Sequence, residues 1–181
     1  MRYLSIFMFV LVIVPSSVAA DNRLTPRPLD PIAADTFARA QAQSAVVRSL
    51  VATLESSNVI VHIVSSRDLP AGVGGTTQFV VSRGGYRYVR ITIAAGLSKS
   101  GRAAILGHEL QHACEVAASD ADDVESLKQL FEKQGRRIGE YFETQAAIEA
   151  ERIVRSELGA VRTALRLRSG LQAEPVVKLD H

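Results

Sequence analysis

His108 and His112 stand four residues apart with Glu109 between them, in a stretch whose neighbours favour a buried helix. Ala103, Ala104, Ile105, Leu106 and Gly107 precede the string and Ala113 and Cys114 follow it, all uncharged. On a helix, positions i and i+4 share a face with Cβ atoms roughly 5–6 Å apart, so two imidazoles can aim at one point. That gap suits a metal ion. Any fold for this chain therefore has to bring a further donor and an opening for water to this face of the helix. Zinc, held about 2.0–2.1 Å from each nitrogen, would use two of its four tetrahedral positions here, leaving one for a protein ligand and one for water. Glu109 would lie beside that water and could take its proton.

The string Ile105-Leu106-Gly107-His108-Glu109-Leu110-Gln111-His112-Ala113 is followed about thirty residues later by Tyr141-Phe142-Glu143-Thr144-Gln145-Ala146-Ala147. Together they resemble the zincin superfamily of metallopeptidases in its glutamate-ligand (gluzincin-like) form, as a small secreted bacterial type. The likeness covers two helices. It implies an α+β domain in which a three-stranded or larger, mostly antiparallel sheet packs on helices that include the HExxH helix and a C-terminal ligand helix. It also implies a Zn2+ cofactor, Glu109 as catalytic base, a peptide or protein substrate, and an edge strand beside the metal to which extended peptide adds. The chain departs from the metzincin pattern, because Glu115 and Ala118 stand where that pattern needs glycine and histidine. The third ligand has to come from elsewhere.

Glu140, Glu143, Glu149 and Glu151 compete for that role on a helix expected over about 139–168. Stepping from Glu143 at helical intervals gives Ala147, Ala150, Val154, Leu158 and Val161, an apolar stripe that would point its carboxylate at the core. A lone buried carboxylate is costly, and a metal removes the cost. Glu149 shares a face with Gln145, Arg152 and Ser156, and Glu151 with Thr144 and Arg155, so both read as solvent-facing with charged neighbours. The ranking is therefore Glu143 first, with His108 and His112, and Glu140 or Glu115 as alternatives. Glu115 follows His112 by three residues, so three ligands would crowd one short helical stretch; it reads instead as a support to an imidazole or as surface.

Chain length fits one domain able to bury a core without cross-links. Residues 1–20 read as a cleaved secretory signal peptide: Arg2, an apolar run from Leu4 to Val14, and Val18-Ala19-Ala20 before the cut. The run is short for a membrane span of about 20 apolar residues, so export without a stable span is expected, to the periplasm or outside the cell. The 21 basic and 19 acidic residues give a net charge of +2, which falls to +1 when Arg2 leaves with the signal. Such a balance offers no footprint for nucleic acid, and Arg162, Arg166 and Arg168 read as a solvated helix face. Cys114 is the only cysteine, so no internal disulfide forms; it reads as a small buried hydrophobe.

Residues 21–31 carry Pro26, Pro28 and Pro31 and read as an extended leader to a domain over 32–168, with a loose tail over 169–181. A helix is expected over about 33–56, a buried strand over 59–64, and a hairpin of strands 76–82 and 86–93 turning at Arg83-Gly84-Gly85. Tyr86, Tyr88 and Arg90 alternate on one hairpin face, a half-exposed strand surface or a place for substrate. The motif helix should run over about 100–118, and Asp122 or Asp123 should cap a helix reaching Gln134. His62 and His181 suggest no role, and Tyr141 reads as core packing or as an oxyanion donor. Two further readings stay open beside the peptidase: a catalytically inactive zincin-fold binding protein with a structural zinc, and a metal-free exported helical scaffold.

Overall fold

A computed structural model describes residues 26–138 and 141–171, with side chains omitted at 138, 141 and 166–171. The expected signal peptide, its cleavage site after Ala20, Glu140 and His181 lie outside the described residues.

The chain builds an α+β domain. In order come β1 (Arg27–Pro28), α1 (Pro31–Gln43), α2 (Ala45–Glu55), β2 (Val59–Ser66), β3 (Gly75–Arg83), β4 (Tyr86–Ala94), α3 (Lys99–Ala117), α4 (Val124–Gln134), β5 (Arg136–Ile138), β6 (Tyr141–Glu143) and α5 (Gln145–Leu171). Four strands form one sheet in the order β1-β2-β4-β3, and β5 and β6 form a separate ribbon. The main sheet is mixed rather than mostly antiparallel: β1 and β4 both run parallel to β2, and only β3 and β4 are antiparallel. The hairpin was legible because Gly84 and Gly85 supply the positive φ angles, +61° and +79°, of its two-residue turn. The parallel β2–β4 pairing is non-local and no turn announces it. The β-branched run in β2, buried at Val59, Ile60, Val61 and Ile63 and interrupted at His62, is its sequence trace.

Two further boundaries differ from expectation. The helix foreseen over 33–56 breaks at Ser44, which is extended and caps α2 by accepting from Val47 N–H. Glu157 of α5 fixes the break, accepting the Ser44 hydroxyl and the Ala45 N–H. The apolar stripe runs across the break and hides it. The leader is not free either, since Arg27 and Pro28 pair with His62 and Ile63 of β2. Asp30 then caps α1 through Ile32 N–H and Ala33 N–H while accepting from Ser65 N–H and Oγ, tying the helix start to β2. At the other end, α5 runs to Leu171 rather than 168.

Helix α3 occupies the middle of the molecule. It is buried around its circumference, at Ala103, Ala104, Leu106, Leu110, Ala113 and Val116 as well as at its charged residues. Such a helix shows no single apolar stripe. One side meets the inward row Val89, Ile91 and Ile93 of β4, and another meets α5, where Gly107 lets Val154 approach. Arg87 heads that inward row and is buried. Its guanidinium donates to the carbonyls of Val116, Ala117, Ser119 and Ala121 and to Asn58 Oδ1. A cation thus closes the C-terminal end of α3, where unpaired carbonyls and the helix dipole favour one. Among the described residues no helix is long and apolar enough to cross a membrane.

Candidate metal centre

Helix α3 begins at the Ser98 cap and carries His108 and His112 on the face turned to α5 and the β5–β6 ribbon. The two rings sit 4.9 Å apart between centroids at 71° to each other, and Phe131 of α4 packs edge-on against His112. Glu143 completes a group with them. One ligand atom from each of His108, His112 and Glu143 lies within 4.8 Å of the other two, so the group could hold a metal ion. Glu143 comes from the end of β6, not from a helix as the periodicity suggested. The stripe it was assigned to, Ala147, Ala150, Val154 and Leu158, is buried and belongs to α5, which starts two residues later. Extrapolating the stripe back past the helix start placed the carboxylate near the core for an incomplete reason.

The surrounding groups suit a cation. Glu143 Oε2 lies 3.0 Å from His108 Nε2, and it is buried and accepts no hydrogen bond among the described residues. An orphaned buried carboxylate oxygen is costly unless something positive meets it. Both imidazoles also turn their Nδ1 atoms to carboxylates: His112 to Glu115 Oε2 at 2.8 Å, and His108 to Glu151 Oε2 at 3.3 Å. The carboxylate hydrogen-bonded to His112 fixes that ring and makes its other nitrogen a better donor, whereas the Glu151 carboxylate lies near His108 Nδ1 without a hydrogen bond. Two imidazoles and one carboxylate, so backed, form a donor set suited to zinc and similar divalent ions.

Glu151 was expected at the surface and instead reaches the back of His108, with Arg155 gripping its other oxygen as the i+4 charge partner. Helical phase locates a Cβ, and a glutamate is long enough to carry its charge to the next face. Glu149 does pair outward with Arg152. Glu115 supports an imidazole, one of the two readings given for it. Thr144 was not singled out; it is buried, donates to Glu115 Oε1 at 2.6 Å and accepts the Ala147 N–H. Its signal was a threonine three residues before an apolar helical position, a helix-cap pattern. Cys114 is buried with its thiol donating toward Leu50 O, away from the histidines, and burial pushes its pKa up to about 12, as suits a packed thiol.

Glu109 turns the other way round the helix, toward β3. It is buried, and Thr77 donates to its Oε2 at 2.7 Å. Gly75 comes so close that a Cβ there would sit 2.8 Å from Glu109 Oε1. Burial raises the Glu109 pKa above the usual carboxylate range, against the lowering effect of the two histidines and Thr77. Burial also works against a charged His108, but the carboxylates of Glu143, Glu109 and Glu151 outweigh it and raise its pKa. Glu143 is lowered in turn, chiefly by His108.

A cleft of about 1060 Å3 opens over the group, bounded by residues of β3 and by Ile105, Leu127, Phe131 and Phe142. Among the described residues strand β3 is the sheet edge, with β4 as its one neighbour. Tyr86, Tyr88 and Arg90 do not border this cleft, and the Tyr88 ring packs beside His62 on the outer sheet face. Comparison of the chain with family models, with curated proteins and with solved structures finds no match.

Proposed function

We propose that this chain is an exported zinc-dependent peptidase, with His108, His112 and Glu143 as the metal ligands and Glu109 as the general base. The observation that carries the reading is the convergence of two buried imidazoles on a buried carboxylate oxygen with no hydrogen-bond partner, beside a cleft bordered by an edge strand. Zinc bound there would acidify a water and polarise a scissile carbonyl. The protein's own residues do the rest. Glu109 takes the proton of the attacking water and passes it to the departing amine; Thr77 occupies one carboxylate oxygen and leaves the other for that exchange. The free edge of β3 offers main-chain groups to an extended peptide, and the apolar side chains lining the cleft exclude water around it. Export rests on the signal-like residues 1–20.

A second reading, an inactive zincin-fold binding protein with a structural zinc, draws on the same burial of Glu109 beneath Gly75 and Thr77, which restricts its access to water. Peptide-library cleavage separates the two. For a peptidase, Glu109→Gln keeps one zinc per chain and lowers turnover by ~10²–10⁴, and chelation abolishes cleavage in the unsubstituted protein. A zinc-loaded protein that cleaves nothing, or one whose cleavage survives Glu109→Gln, would reject the peptidase mechanism.

A further inference from the structure

Thr144 sits where three parts of the centre meet. It follows Glu143 directly, it caps α5 by accepting the Ala147 N–H at 3.1 Å, and it donates its hydroxyl proton to Glu115 Oε1 at 2.6 Å. The other oxygen of Glu115 faces His112 Nδ1 at 2.8 Å. A hydroxyl has one proton and two lone pairs, so the same threonine serves both partners at once. Glu115 side-chain exposure is 10% and Thr144 is 4% exposed, which keeps water from replacing either bond.

We infer that the Thr144–Glu115 pair is a positioning relay of the metal centre, locking the segment that carries Glu143 to the imidazole of His112. This inference rests on the metal-centre reading above. The loop is closed: backbone joins Glu143 to Thr144, hydrogen bonds join Thr144 to Glu115 and Glu115 to His112, and a bound cation joins His112 to Glu143. Two ligands from different elements are thereby set to each other before an ion arrives, and the carboxylate holds His112 in the tautomer with a proton on Nδ1, leaving Nε2 for the metal. Among the described residues His108 has no equivalent lock. Its Nδ1 makes no hydrogen bond to Glu151, whose carboxylate is drawn to the half-exposed Arg155.

The test is zinc affinity, measured by competition with a chromophoric chelator, which needs no substrate. Thr144→Val keeps the shape and removes the hydroxyl; Glu115→Gln leaves the α5 cap intact. Each should weaken zinc binding about 10–100-fold, and the double variant should be little weaker than either single one, because both cut the same path. Thr144→Ser, which restores the hydroxyl, should return affinity to within a few-fold of the unsubstituted protein. Far-UV circular dichroism of each variant confirms that α5 is retained. If the single losses multiply in the double variant, or if Thr144→Val binds zinc normally, the relay is wrong while the centre stands. An unsubstituted protein that takes up no zinc would overturn the centre, and the relay with it.

Discussion

Adding one methyl group to Gly107 should have the opposite effect from adding the same group to Gly159, although both glycines lie inside helices. Replacing a helical glycine by alanine ordinarily stabilises by about 0.8–1 kcal/mol, because alanine loses less backbone entropy on folding. At Gly159 of α5 nothing lies within 4 Å of the new Cβ, so Gly159→Ala should gain most of that amount. At Gly107 the new Cβ would lie 2.7 Å from Val154 Cγ2 and 3.8 Å from Val47 Cγ2. Val154 and Val47 are both 0% exposed, and a β-branched side chain in a helix has one favoured rotamer, so Val154 has nowhere to turn. Overpacking of this kind costs about 1–3 kcal/mol. Set against the propensity gain, Gly107→Ala should destabilise by about 1 kcal/mol, or roughly 2–4 °C in Tm for a domain of this size. Urea unfolding of the chelator-treated protein, followed by circular dichroism, measures both variants free of metal linkage. A double-mutant cycle with Val154→Ala sharpens the test: the added methyl enters the space that valine vacates, and the coupling should favour the double variant by about 1 kcal/mol. If Gly107→Ala stabilised the protein as Gly159→Ala does, or if the cycle were additive, the close contact of α3 with α5 would be refuted.

Two further outcomes follow from charged groups at element ends. Arg87→Met should lower unfolding free energy by at least about 3 kcal/mol, since it leaves several buried carbonyls at the end of α3 without donors; a loss below about 1 kcal/mol, typical of a surface site, would contradict the cap. Asp30→Ala should cost about 1–2 kcal/mol at neutral pH as a lost helix cap. Burial of Asp30 opposes ionisation, but the N–H groups of Ala33, Ser65 and Ile32 and the Ser65 hydroxyl outweigh it and lower its pKa below 3.8. The stabilisation from its charge is therefore complete above that value and disappears as pH falls through the folded-state pKa, so the deficit of Asp30→Ala should shrink in acid. A deficit constant from pH 7 to pH 2 would remove the charge from the account.

The helix-borne half of the centre could be read directly, because four-residue spacing is a local property: His108, Glu109 and His112 keep on α3 the relation their sequence implies. The capped start of α4 at Asp123 and the glycine turn of the hairpin are local too, and both were legible. What escaped depends on distant partners. Ser44 breaks a continuous apolar stripe because Glu157, far along the chain, accepts the Ser44 hydroxyl and the Ala45 N–H at the start of α2. The parallel pairing of β2 with β4 has no turn to mark it. Glu143 was picked out by extending the α5 stripe backward, while its residence on β6 depends on pairing with Arg136. Arg87 was readable in principle: it alternates in phase with Val89, Ile91 and Ile93, and a charge in a buried row asks for acceptors.

The β5–β6 ribbon has three residues on each side and, as a two-stranded unit, has little stability of its own. It also supplies the acidic arm of the triad. A cation seated among the three side chains would add a second tie between this small ribbon and α3, beside the one that Thr144 makes to Glu115, so the ribbon should be harder to open with the ion bound.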